Sequence, residues 1–302
     1  MGSGGGPAVL VVGYLSLDEI SVGGRTVPDV AGGAALYAAL GAARAGAAVG
    51  LVATCGDDFP EAALAGLRDA GIDLGHLRRA GHPSRRARIA YRPDGSRVSS
   101  HWGETAWHAA TRALAPPPWP ASARPTVVVL TAMPLELLGR HLDTARQAGA
   151  RAVVDTSEVF AARERDRLLA LLDRVDLFAP SREETRWLCP GLDDDAALRV
   201  LAGRCARVVQ KRGAEGLILV SPVHPAGLRI PASPIPGEDP DAVPEPTGAG
   251  DACVGALGAG LARGLDDAAL LALASAIAAR AVSGLGPAGL GLATPLSATA
   301  GP

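Results

Sequence analysis

Residues 245–251, Glu245-Pro246-Thr247-Gly248-Ala249-Gly250-Asp251, carry the clearest chemistry in this chain, and a helical run, Ala252 to Arg263, follows at once. Three small residues between Thr247 and Asp251 leave backbone N–H groups uncovered at a helix start. Such an end attracts anions, because its first N–H groups lack partners and the helix dipole adds partial positive charge. A carboxylate beside an anion site repels phosphate unless it has a task. General base for a hydroxyl attacking a phosphoryl group is the natural one for Asp251. A glycine-rich turn with Asp251 merely favouring the helix N-terminus would use the same residues.

Other groups read less sharply. Gly32 and Gly33 precede an alanine-rich helical run, Ala34 to Ala45, and suit a strand-to-helix turn. Ser181 and Glu184 have the spacing of a capping box. Arg85, Arg86 and Arg88 on one strand suit a phosphate-bearing acceptor, an acidic partner or an edge guarded against aggregation, and the last is favoured. His101, Trp102, Trp107 and His108 line either a pocket or a dimer contact.

The elements that must position these residues alternate regularly. Val9 to Gly13 reads as a buried parallel-type strand. Tyr14 to Val30, with Gly23-Gly24 at its middle, suits a hairpin, as do Arg85–Tyr91 and Arg97–Trp102 around Pro93-Asp94-Gly95. Ala48–Thr54 is the next strand, and Asp58 is placed to cap the helix Glu61–Ala70. Beyond Pro116–Pro120, strands at Thr126–Leu130, Arg151–Asp155, Leu177–Ala179, Arg207–Gln210 and Gly216–Val220 alternate with four helices. These are Leu135–Ala148, Ala161–Leu172, Ser181–Cys189 and Ala196–Ala206, and Ala252–Arg263 and Asp266–Ser283 close the chain. The pattern predicts an α/β fold with a doubly wound, mostly parallel sheet, and a small separate sheet from the two hairpins.

Composition narrows the function. The 302 residues carry a net charge of −2, so no basic surplus argues for nucleic acid or an anionic membrane. Cys55, Cys189, Cys205 and Cys253 form no CxxC pair, which argues against zinc and a disulfide framework. The Gly-rich start lacks a basic region before its short apolar run, and no apolar run approaches a membrane span. A cytoplasmic location is the default expectation.

Residues 245–251 resemble the second signature of the ribokinase-like (PfkB) family of sugar and nucleoside kinases, usually Asp-Thr-x-Gly-Ala-Gly-Asp, with Glu245 in the leading position. Gly32-Gly33-Ala34-Ala35 resembles the first signature. Gly56-Asp57-Asp58 followed by Leu67, Gly71, Ile72 and Asp73 matches a structural run of the same family. Pro180-Ser181-Arg182-Glu183-Glu184 is similar to its Asn-x-x-Glu motif, with serine for asparagine. Gln210 to Gly216 resembles its nucleotide-binding turn, with Lys211, the only lysine in the chain, where threonine is usual. The resemblance runs from Val9 to about Leu290.

That resemblance implies one ribokinase-like domain over residues 7–302, an α/β/α sandwich with a β-lid from segments about 14–31 and 84–104. It implies ATP-dependent phosphorylation of a hydroxyl on a small polyol, a sugar or cyclitol. Asp251 would be the general base, and the Gly248, Ala249, Gly250 and Asp251 backbone the anion hole. Asp18, Gly32, Gly33 and Tyr37 would bind the acceptor. Lys211, Gly213, Gly216, Thr247 and Gly286 would bind ATP, and Glu184, with Ser181, would hold Mg²⁺ through water. A homodimer through the lid is a further expectation. A nucleoside kinase of the same family and a non-catalytic kinase-like binding or regulatory protein are the alternatives. A Rossmann oxidoreductase is disfavoured, since the first strand's turn lacks the full Gly-x-Gly-x-x-Gly.

Overall fold

A computed structural model describes residues 6–92, 97–101, 104–237, 245–294 and 299–300. In chain order the elements begin β1 (Val9–Val12), β2 (Ser16–Val22), β3 (Arg25–Gly32), α1 (Ala34–Arg44), β4 (Val49–Cys55), α2 (Glu61–Asp69) and β5 (Ile72–Arg79). Then come β6 (Arg85–Tyr91), β7 (Arg97–His101), α3 (Glu104–Ala113), β8 (Val127–Leu130), α4 (Leu135–Ala148), β9 (Arg151–Val154), α5 (Glu158–Arg163) and α6 (Arg165–Leu171). The chain continues through β10 (Leu177–Phe178), α7 (Arg182–Leu188), α8 (Asp194–Ala202), β11 (Val208–Lys211), β12 (Leu217–Val220) and β13 (Leu228–Ile230). It ends with α9 (Ala249–Ala262), α10 (Asp267–Val282) and β14 (Thr299–Ala300). The Pro93-Asp94-Gly95 turn and Trp102 lie outside the described residues.

The main sheet has the order β13-β12-β11-β10-β9-β8-β1-β4-β5, parallel from β11 through β5. Its short apolar strands feed two cores by strict alternation. Val9, Val11, Val127, Val129 and Val153 face the side covered by α1, α2, α9 and α10. Leu10, Val12, Val128, Leu130 and Val154 face the side covered by α4 to α8. Helices on both faces of a mostly parallel sheet make this the doubly wound α/β/α sandwich expected from the alternation. Helix α9 is apolar nearly all round and accordingly buried at every position from Ala252 to Leu261.

Several details depart from the sequence reading, among them helix α3 and strand β13, which it did not give. The run expected as one helix over Ala161–Leu172 is two, broken at Glu164 in a non-helical conformation. The last strands run antiparallel, since the short turn after Lys211 leaves no room for a crossover. The polar edge strand β5 was not anticipated, because Ile72 is its only β-branched residue and Asp73, Gly75, His76, Arg78 and Arg79 fill most of the rest. Asp58 caps no helix: Pro60 stands at the α2 N-cap, and Asp58 instead accepts from the Ser84 N–H at 2.7 Å and from Arg86 at 2.9 Å.

The two hairpins do form a separate sheet, ordered β14-β3-β2-β6-β7, joined by parallel pairing of β2 with β6. This corrects the reading of Arg85, Arg86 and Arg88 as edge protection: β6 is paired on both sides, to β2 and β7. Strand alternation separates them. Arg86 turns to Asp29 and Asp58 and Arg88 to Glu19, while Arg85 shares the opposite face with Ser16 and Asp18.

Candidate active site

Helix α9 starts at Ala249, after Gly248 in the left-handed conformation (φ 74°), with no side chain capping it. Gly248 has no substitute there, because a Cβ would lie 2.1 Å from the Tyr37 ring. The Ala249 N–H is turned back to the Pro246 carbonyl at 3.1 Å. Of the four backbone N–H groups expected to line an anion hole, that of Ala249 is therefore taken. Asp251 stands in the first turn of the same helix, so carboxylate and helix dipole meet at one point.

Beside this helix end lies a buried charge cluster. The Lys211 Nζ donates to Asp155 Oδ1 at 2.6 Å, with side-chain exposures of 13% and 4%. An alanine-like Cβ at Gly250 would sit 3.7 Å from the same Nζ. Burial alone would push the Lys211 ammonium down; Asp155 and Glu184, with Asp251 adding, hold it above its ordinary value. Glu184 is pushed up, chiefly by burial and further by Asp155, against the pull of Lys211. Ser181 and Glu184 do form the capping box of α7, with Glu184 Oε2 accepting from the Ser181 N–H at 2.7 Å and Ser181 Oγ from the Glu184 N–H at 3.1 Å. The cap occupies Oε2 of the glutamate, and the same carboxylate belongs to the electrostatic cluster.

A second group gathers on the inner face of the small sheet. Asp18 on β2 is 4% exposed, and its Oδ1 is buried without a hydrogen-bond partner. Gly32 lies against its other oxygen, where a Cβ would come within 2.3 Å. Gly33, at φ 96°, brings the chain against Tyr14 and Leu15 just before α1. Burial pushes the Asp18 carboxyl up to about 6, opposed by the Ser16 hydroxyl and the Arg85 guanidinium. The Tyr37 hydroxyl is also buried and unpartnered, and burial, Glu245, Asp18 and Asp251 hold it well above its ordinary value. Tyr37 thus links the proposed hydroxyl acceptor to the proposed base.

Thr247 and Gly286 take structural partners. The Thr247 hydroxyl meets the Tyr91 hydroxyl at 2.7 Å. Glu245 accepts from the Thr247 N–H at 2.9 Å and, with its other oxygen, from the Gly286 N–H at 2.6 Å, tying the signature loop to the α10 end. Gly286 itself packs towards Val30 and Ile20 of the small sheet. Gly213 and Gly216 sit in the turn between β11 and β12, with Gly216 against the Ile230 carbonyl.

The sequence matches the pfkB family carbohydrate kinase description over residues 9–292. The chain belongs to the PfkB family. A curated relative, the cytidine kinase of Thermococcus kodakarensis, is 31% identical over 270 residues, covering 85% of this chain and 89% of that protein. Among solved structures, the Burkholderia thailandensis nucleoside kinase with inosine superposes at TM-score 0.75 and 19% identity, covering 93% of each chain. An E. coli protein described as a ribokinase II, solved with ATP and Mg²⁺, gives 0.73 at 20%, covering 92% of this chain and 94% of its own. These likenesses fix the fold as that of ribokinase-like PfkB kinases. Among the described residues no helix is long and apolar enough to cross a membrane.

The sequence reading gave Asp155 no role and did not separate Arg85 from Arg86 and Arg88. Asp155 ends an apolar parallel strand, and ligands of such sheets gather at strand carboxyl ends, so its position carried a signal. Arg85 was grouped with its neighbours by charge, and only its alternation along β6, in register with Ser16 of β2, sets it apart.

Proposed function

We propose that this PfkB kinase transfers the terminal phosphoryl group of Mg-ATP to a hydroxyl of a nucleoside, with cytidine the first acceptor to test. The observation that carries the chemistry is Asp251 in the first turn of α9, beside a helix end opened by Gly248 and flanked by Lys211. The acceptor class rests on the 31% identity to a cytidine kinase. It also fits the clustering of the chain's three tyrosines, Tyr14, Tyr37 and Tyr91, around the signature loop and the small sheet. The low aromatic content, which points away from nucleosides in the sequence, conceals this concentration. A free sugar or cyclitol is the second reading, favoured by the Asp18, Gly32 and Gly33 set, which recognises hydroxyls whatever they are attached to.

Asp18 accepts hydrogen bonds from the acceptor's hydroxyls through Oδ1, which has no hydrogen-bond partner within the protein. Asp251 takes the proton from the attacking hydroxyl. The helix end and the Lys211 ammonium meet the charge on the transferring group. Magnesium neutralises phosphate oxygens when bound. Glu184 and Asp155 would offer it anionic oxygens through its waters. The small sheet closes over the acceptor and keeps water from ATP.

Acceptor binding should weaken as pH falls through about 6, where Asp18 takes up its proton. Its folded value lies above the ordinary 3.8, so the same protonation stabilises the fold as pH falls through that window. The acceptor KM should therefore rise between pH 7 and 5 in the wild type and stay flat in Asp18→Asn. Equal pH profiles in the two would remove Asp18 from acceptor binding. The acceptor itself is tested by kcat/KM across nucleosides, sugars and cyclitols: preference for a nucleoside supports the proposal, and turnover of sugars alone rejects it.

A further inference from the structure

Arg85 is the arginine that the kinase chemistry leaves unexplained. Its guanidinium carbon stands 4.1 Å from the Tyr14 ring centre and 3.9 Å from that of Trp107 on α3. The Nε is buried and makes no hydrogen bond, and among the described residues no carboxylate forms an ion pair with the side chain. Arg86 and Arg88, its neighbours on β6, are both paired to carboxylates. The strand register sets Arg85 beside Ser16, two residues before Asp18 on the same face, and the guanidinium acts electrostatically on the Asp18 carboxylate.

We propose that Arg85 reads the base of the acceptor nucleoside by donating two parallel N–H bonds to two adjacent acceptor atoms, such as O2 and N3 of cytosine. The inference rests on the nucleoside reading above. Rings against the guanidinium fix its plane and leave its in-plane fork for a ligand, and that fork matches paired acceptors. The surroundings favour a neutral partner over a phosphate or carboxylate. Asp18 lies within electrostatic reach of Arg85, and Glu245 acts on Asp18 in turn, so a second anion would meet two carboxylates. Burial also pushes the Arg85 guanidinium down to about 10, the mark of a weakly hydrated cation. Cytosine and guanine carry two acceptors side by side, whereas uracil places an N–H between its carbonyls and adenine alternates acceptor with donor.

The test compares cytidine, guanosine and uridine in the wild type, Arg85→Lys and Arg85→Met, with ATP affinity and melting temperature as controls. The wild type should favour cytidine or guanosine over uridine by about ten- to a hundredfold in kcat/KM. Lysine keeps the charge but not the fork, so both variants should lose the preference through nucleoside KM, with ATP affinity unchanged. On the wild type, 3-deazacytidine, with C–H in place of N3, should lose about tenfold against cytidine if N3 is read; this arm needs no variant to fold. A preference that survives both substitutions, or 3-deazacytidine serving as well as cytidine, overturns the assignment to Arg85 while leaving nucleoside phosphorylation standing. Turnover of sugars but of no nucleoside overturns both.

Discussion

Replacing Asp251 by asparagine should lower kcat by about two to four orders of magnitude, the usual contribution of a positioned general base. Asparagine keeps the size of the side chain and its place in the first turn of α9, but it cannot take the hydroxyl proton. ATP affinity should hold or rise slightly, because a negative charge beside the phosphates is gone. Rapid-quench measurement of ADP formation, with ATP binding followed by calorimetry, separates the two effects. A variant with near wild-type kcat would take Asp251 out of the chemistry. Loss of ATP binding instead would assign it to holding the loop.

The second large effect lies in the buried cluster. Lys211→Met strands Asp155 and Glu184 as buried carboxylates without their cation, and breaking such a pair costs about 3–5 kcal/mol. With folded domains stable by about 5–15 kcal/mol, urea unfolding should show the loss plainly at neutral pH. The sign of its pH dependence is fixed. In the wild type the raised Lys211 value keeps its contribution in full at and below neutral pH, to be lost only in strong alkali. In the variant Glu184 loses the cation that opposes its burial, so its carboxyl rises further above its unfolded value and the folded state binds more protons. Stability should then recover as pH falls from 7 to 5, more steeply than Glu184 alone makes it do in the wild type. A variant as stable as wild type at pH 7 would mean that water, and not Lys211, compensates Asp155.

The sandwich was legible in the sequence because its strands are short, apolar and regularly spaced between helical runs. Leu135–Ala148 was located to the residue, since an amphipathic pattern ran from Pro134 to a left-handed glycine at Gly149. Glycine and acid at 248–251 announced the start of α9 for a local reason: each residue's place there depends on its own backbone. What stayed hidden depends on partners distant in the chain. Asp155 gains meaning only when β9 and β11 bring it to Lys211. Arg85 separates from Arg86 only once β6 lies between β2 and β7. Ser181 and Glu184 illustrate a third case: the capping box was legible from their spacing, whereas the place of Glu184 in the charge cluster was not.

The central claim is phosphoryl transfer to a nucleoside by way of Asp251. The most direct test incubates the enzyme with Mg-ATP and cytidine and measures ADP and phosphorylated cytidine in the same quenched samples, beside Asp251→Asn. Equal amounts of the two products in the wild type, and neither in the variant on the same timescale, is the predicted result. ADP without phosphorylated nucleoside, or equal rates from the two proteins, would contradict it.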